Sequence, residues 1–509
     1  MFRSTVAPDD EFANPPRRVL RLLLLVGAVA AAGVVAFLLF WLPDRLDCGG
    51  SGLTAEEGEC LGVTDGSPAF LPTGDEELGD EFRSVQELIE AENDRVAQEA
   101  DAYVKVGLLA TLSPDDTGPQ APRRVLHALE GAYTAQMRAN HTRQLGDPSP
   151  QVQLLLANVG NRHQSWEPAV DDLVSMADDE APLAAVVGLS VSTEDSRAAA
   201  QRLAEHGIPI VASSASADGL NFETVDGLLR VTASNTDFVM ALREYVRDRD
   251  HLDEAILVHD QNAPDLHVNT LTEAFLERFS EELGTNPAQP FRGTTVSDDA
   301  PAALFDAAVR NVCQVAADMV LFSGRTGDLQ AFVEALHSRS CREQPLSVLF
   351  VETGPVIAED QHERLAESNL TIVQASAMDP AWAHGAGEDA DVPSGFADFF
   401  EQYDTHVAYT EDVPGALEDG YAVANHDALA TAVRAIRVSH AQDPDSPVTN
   451  ARVHDALFLL HLGNAVEAAG GTLHFTTDRR GDPGGKPVPV IETPPAATRP
   501  DLYVTPGPG

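Results

Sequence analysis

One stretch, Ala181 to Leu220, constrains the fold more than any other. Leu183 to Val187 is an unbroken apolar run without alternation, the pattern of a strand buried on both faces of a parallel sheet. Gly188 ends it, and Ser190, Ser192 and Thr193 follow where a helix must begin. Glu194 to His206 has helical spacing, with Ala198, Leu203 and Ala204 on one side, and Gly207 closes it. Ile208 to Ala212 is a second apolar strand, again followed by hydroxyls at Ser213, Ser214 and Ser216. The stretch therefore reads as a β-α-β unit that delivers small hydroxyls and helix-N-terminal amides to one sheet edge. In open α/β sheets ligands bind at the carboxyl ends of the strands, and such amides favour an anion. Each serine taken singly also reads as an ordinary helix cap. Two clusters on adjacent strand ends favour a binding edge.

The same alternation continues along the chain. Strands are expected at 103–110, 152–157, 228–231, 255–259, 319–322, 346–351 and 370–374, with helices between them, the longest at 417–440. This is an α/β chain with parallel sheets, and it has too many strands for one sheet, so two lobes are expected. The formal charge of −47 leaves no basic face for nucleic acid. No His-Glu-x-x-His run, phosphate-binding glycine loop or Gly-x-Ser-x-Gly elbow occurs, so neither enzyme activity, a metal nor a cofactor is expected.

The amino-terminal region reads differently. Arg17, Arg18 and Arg21 precede an uncharged apolar run from Leu22 to Pro43, and Asp44 and Asp47 follow it. About 20 such residues cross a bilayer. The arginines place residues 1–21 in the cytoplasm, 22–43 as the anchor, and the remainder outside. A cleaved signal peptide is the rival reading, although Phe40-Trp41-Leu42-Pro43 lacks a small-x-small cleavage site. Residues 44–100 read as a stalk with one short amphipathic helix, and the Pro-rich 493–509 as a disordered tail. The four cysteines fall into two pairs, Cys48 with Cys60 and Cys313 with Cys341. Outside the cell these read as two local disulfides, the alternative being free buried thiols.

Several segments together resemble a known family. These are Val187-Gly-Leu-Ser-Val-Ser-Thr, Gly207-Ile-Pro-Ile-Val-Ala-Ser-Ser-Ala-Ser-Ala-Asp-Gly-Leu, Leu229-Arg-Val-Thr, Ile256-Leu-Val-His-Asp, Phe350-Val-Glu-Thr-Gly and Asp419-Gly-Tyr-Ala-Val-Ala-Asn-His-Asp-Ala. In order and spacing they resemble the type I periplasmic binding proteins, in particular the leucine/isoleucine/valine-binding proteins of ABC transporters. The resemblance covers about residues 103–492. It implies two Rossmann-like lobes joined by three crossovers and closing by hinge motion, within a domain spanning 101–492. Lobe 1 would be about 101–233 and 377–471, and lobe 2 about 237–372 and 475–492. It further implies that Ser192, Thr193, Ser214, Ala215 and Ser216 hold an amino acid's carboxylate. Glu352 would meet its ammonium and Tyr421 would close the cleft. A small-molecule ligand and ABC permease and ATPase partners follow from the same resemblance, with ligand sensing or a binding-dead interaction domain as alternatives. Two departures stand out. The loop 261–266 has Pro264 where relatives place a tyrosine, and Ser323-Gly-Arg-Thr-Gly-Asp puts Arg325 where an aromatic-rich turn is usual, which bears on the ligand that fits.

Overall fold

A computed structural model of the chain describes residues 48, 52–56, 58–293, 305–385, 391–410, 412–496 and 498–507. The expected anchor at 22–43 lies outside the described residues. No helix among the described residues is long and apolar enough to cross a membrane.

Two sheets organise the molecule. Lobe 1 is built on β1 (Thr54–Glu56), β2 (Glu59–Thr64), β3 (Tyr103–Ala110), β4 (Gln151–Asn158), β5 (Leu183–Gly188), β6 (Ile210–Ala212) and β7 (Leu228–Arg230). Their spatial order is β1-β2-β4-β3-β5-β6-β7, with β3 to β7 parallel. The order reverses at β3, so β4 and β5 lie on its two sides and a crevice opens at their carboxyl ends. Lobe 2 contains β8 (Ala255–Asp260), β9 (Gln289–Phe291), β10 (Met319–Ser323), β11 (Leu346–Glu352) and β12 (Leu370–Ser376). Downstream lie β13 (Val466–Ala468), β14 (Gly471–Leu473), β15 (Pro487–Val488), β16 (Val490–Thr493) and β17 (Tyr503–Val504). The lobe 2 order is β16-β12-β11-β10-β8-β9, parallel except for β16 at its edge.

Both sheets are apolar on both faces, as the continuous Val/Leu/Ile runs require. All six residues of β5 and all five of β10 are buried. The chain passes between the lobes after β7, after β12 and after β14. These passages are marked by Val231 and Ala233, Ala377 and Met378, and Phe475 and Val488, which pack into different lobes.

Residues expected to form a stalk are instead part of lobe 1. β1 and β2 form a hairpin, and β2 extends the sheet antiparallel to β4. The helix Glu76–Glu99, capped by Asp75, buries Phe82, Val85, Ile89 and Val96. Its Asn93 reaches β4 beyond the end of β2, accepting from Leu154 N at 2.8 Å and donating to Leu154 O at 2.7 Å. A side-chain amide thus completes the ladder where the neighbouring strand stops. The tail also departs from expectation. Tyr503–Val504 pairs with β15, and the buried Thr505 gives its hydroxyl to Pro483 O at 2.8 Å and accepts from Lys486 N at 2.9 Å.

Helix lengths follow the apolar spacing, with breaks that the spacing does not show. The helix expected at 417–440 runs instead over Tyr421–Gln442, because Gly420, at a φ of +75° that favours glycine, separates it from the short helix Val413–Leu417.

Both cysteine pairs are disulfides: Cys48–Cys60 ties the start of the described chain to β2, and Cys313–Cys341 closes 28 residues of lobe 2. Opening a loop of that size costs about 3 to 4 kcal/mol. Reduction is therefore expected to lower the melting temperature measured by scanning calorimetry. An unchanged transition would contradict the bridge's contribution.

Candidate ligand cleft

The carboxyl ends of β5 and β6 in lobe 1 face those of β8, β10 and β11 in lobe 2. The turn after β5 is tight: Gly188 has φ +104°, and a Cβ there would meet Leu109 O at 2.5 Å. Leu189 follows at φ +52°, a left-handed conformation costly for leucine. This bend brings Ser190 and Ser192 to the rim.

The structure gathers five of the seven expected site residues around one cavity. Ser192, Ser214, Ser216, Glu352 and Tyr421 line it, with Ser190, Thr232, Phe238, His267, Arg325, Val351 and Thr353. Thr193 and Ala215 are not in the lining. Thr193 caps the helix Glu194–Ala204, its Oγ1 accepting from Ser196 N at 3.1 Å. Ala215 is buried, and its carbonyl accepts from Arg230. The capping reading holds for Thr193, whereas the three serines reach the cavity.

The lobes are closed on each other. Ser192 O accepts from Leu266 N at 3.1 Å and His267 N at 3.3 Å, and Glu194 N donates to Pro264 O at 3.0 Å. Ser216 Oγ pairs with His267 Nδ1 at 2.9 Å. The enclosed space is about 30 Å³, enough for one water and not for a solute. A solute enters only if the lobes part.

The charged groups of the cleft have protein partners in this closed form. Glu352, at the end of β11, accepts from Thr326 Oγ1 at 2.6 Å and Thr353 N at 2.9 Å. Tyr421 OH donates to it at 3.4 Å. Burial alone would push its carboxyl up, but Arg124, Thr326 and Thr353 together hold it below the ordinary value. Arg325 donates from Nε and Nη2 to Asp265 at 2.8 and 2.7 Å, a bidentate pair within lobe 2. His267 is driven well below the ordinary imidazole range, by burial first and then by Arg325, so it is neutral near pH 7. Asp419 receives Tyr421 N at 3.0 Å and pairs with His127 Nδ1 at 2.8 Å. Among the described residues no cluster of three or more His, Cys, Asp or Glu side chains is placed to hold a metal.

His267 lines the cavity and Arg124 stands against its Glu352 and Tyr421; the sequence reading singled out neither. His267 occupies the first turn of the helix Leu266–Arg278, where nothing in the periodicity marks it. Arg124 had a signal: with Arg123 it stands in the first turn of the helix Pro122–His141, where the macrodipole disfavours cations and no acid is present.

A leucine-binding protein from Thermotoga maritima superposes with a TM-score of 0.53 at 16% identity, covering 79% of this chain and 99% of that one. A branched-chain amino acid transporter substrate-binding protein from Streptococcus pneumoniae, solved with isoleucine, gives 0.54 at 15% identity over 79% and 99%. An ABC transporter solute-binding protein from Rhodopseudomonas palustris HaA2, solved with p-hydroxybenzoic acid, gives 0.56 at 15% over 80% and 98%. The fold is that of the type I periplasmic binding proteins. Nearly the whole of each neighbour is matched, so this chain holds a full two-lobed fold of that type. No protein-family profile and no curated protein sequence matches the chain.

Proposed function

We propose that this chain is a membrane-anchored extracellular solute-binding protein of an ABC transporter, not an enzyme, taking an amino acid or similar small polar molecule between its lobes. The observation that carries the reading is the facing set of groups. Neutral hydroxyls of Ser192, Ser214 and Ser216 lie on one lobe and the Glu352 carboxylate on the other, around one cavity. Hydroxyls suit a carboxylate and the acid opposite suits an amine. Neighbours of this fold solved with isoleucine or p-hydroxybenzoic acid support a small carboxylate-bearing solute. The two disulfides support an oxidising compartment, and the apolar run Leu22–Pro43 supports a permanent anchor.

That anchor also favours a second reading, a receptor subunit that signals from the same cleft. Co-purification from its own membranes separates the two: an ABC permease indicates transport, a kinase or other regulator sensing.

A thermal-shift screen of the full chain in detergent against amino acids and related solutes tests the reading. A ligand at a hundred times its dissociation constant adds about 2.7 kcal/mol of stability. The shift is expected to vanish in Ser192→Ala and Glu352→Gln, each compared with its own unliganded melting temperature. A shift that persists in both places the solute elsewhere.

A further inference from the structure

One ion pair spans the cleft. Arg124 Nη1, from lobe 1, stands 3.7 Å from Glu352 Oε2 in lobe 2. This is within ion-pair reach but too long for a hydrogen bond. The guanidinium lies over the Tyr421 ring, 5.4 Å from its centroid, and makes one long hydrogen bond of 3.5 Å to Pro355 O. Its side chain is only 15% exposed. Arg325 is held quite differently. Its partner Asp265 also accepts from His267 N and Val268 N, so that pair is closed within lobe 2. Asp419, the other acid near Arg124, is engaged by His127. Arg124 is thus held more loosely than Arg325, by Glu352 at ion-pair distance, by Tyr421 and by the long bond to Pro355 O, behind the Glu352 and Tyr421 side chains that line the cavity.

Charge balance then restricts the solute. If a ligand ammonium takes Glu352, Arg124 loses its nearest counter-charge. A neutral amino acid whose carboxylate goes to the serines would leave a desolvated guanidinium uncompensated, the arrangement that costs most when a buried pair is broken. A second anionic group on the ligand restores the balance. We propose that Arg124 is a specificity-determining residue and that the solute is an amino acid carrying a second, side-chain anion. The inference rests on the amino-acid reading of the cleft given above.

Calorimetric titration of the full chain with L-glutamate, L-glutamine, L-leucine and glutarate tests it. Wild type is expected to bind glutamate at least roughly 30-fold more tightly than glutamine or leucine, the effect of one desolvated charge pair. Glutarate, which lacks the ammonium, is expected to bind weakly. Arg124→Gln is expected to bring glutamate and glutamine to similar affinity, whereas Arg124→Lys keeps the preference for glutamate. Glutamine or leucine bound as tightly as glutamate by wild type overturns the anion requirement while leaving solute binding intact. So does a glutamate preference that survives Arg124→Gln. Glutarate bound as tightly as glutamate removes the ammonium from the account. Binding of none of the four overturns the amino-acid reading and this inference together.

Discussion

Replacing Gly131 with alanine is expected to lower the unfolding free energy by about 3 kcal/mol, at the upper end of the overpacking range. Gly131 lies where the helices Pro122–His141 and Tyr421–Gln442 cross. A Cβ there would stand 2.0 Å from Ala422 O and 2.6 Å from Ala422 Cα. Those are backbone atoms, so no flexible side chain can give way and the helices must part. Alanine's better helix propensity, about 1 kcal/mol, opposes the loss but is the smaller effect. Gly79, in the helix Glu76–Glu99, has nothing within 4 Å of its would-be Cβ. Gly79→Ala is therefore the control, with a gain of up to about 1 kcal/mol. Urea unfolding of both variants decides the matter, and equal changes in the two would contradict the packing argument. The same crossing carries Arg124 and His127 on one helix and Tyr421 on the other. Gly131→Ala should consequently weaken solute binding without touching a cleft residue.

Acidification from pH 6.5 to 5 is expected to destabilise the chain steeply through its buried histidines. Burial, helped by Arg325, pushes His163 down to about 4. Burial also brings His426 to about 4, against the opposing pull of Asp427. His267 shifts in the same direction. The unfolded chain titrates near 6.5, so between 6.5 and 4 it binds more protons than the folded chain. The stability these neutral histidines carry is full above pH 6.5 and is lost as pH falls through this window, by about 1.4 kcal/mol per pH unit for each. Two groups work the other way. Burial raises Glu130, which sits against Tyr409, Tyr403 and Thr410, so its protonation at low pH favours the fold. Asp419 holds His127 above the ordinary value despite burial, so its contribution is complete below 6.5 and fades as pH rises through its raised value. Urea unfolding at stepped pH should show a shallower slope in His163→Gln and in His426→Gln, by about 1.4 kcal/mol per unit in each. Unchanged slopes would mean that these imidazoles are not neutral in the fold.

The parts of the fold that were legible in the sequence share one physical cause. Strands buried on both faces must be continuous apolar runs, and Leu183–Gly188, Met319–Ser323 and Leu346–Glu352 are such runs. Glycines and hydroxyl caps mark their ends. The hairpin Thr54–Thr64 had no such signature, because short edge strands half exposed to solvent can carry Glu, Thr and Gly. Its Gly- and Asp-rich flanks looked like a linker. The tail was misread for a related reason. Proline content argues against regular structure in isolation, yet Tyr503–Val504 needs only two residues to pair with Pro487–Val488.

The cavity lining was legible where it follows strand ends and illegible where it spans the lobes. Ser192, Ser214 and Ser216 could be placed because each follows a recognisable strand by a few residues. Pairings such as Ser216 with His267, or Arg124 with Glu352, join positions 51 and 228 residues apart in different lobes, and no local periodicity encodes them. The cation at a helix N-terminus was the one local clue, since it runs against the macrodipole.

Hydrogen exchange of the full chain, with and without the solute that raises its melting temperature most, tests the cleft most directly. Added protection is expected at the turn 188–194, at 212–217 and at 351–354, all of which line the space between the lobes. Protection confined to other regions, or none at all with a solute that stabilises the protein, would contradict binding between the lobes.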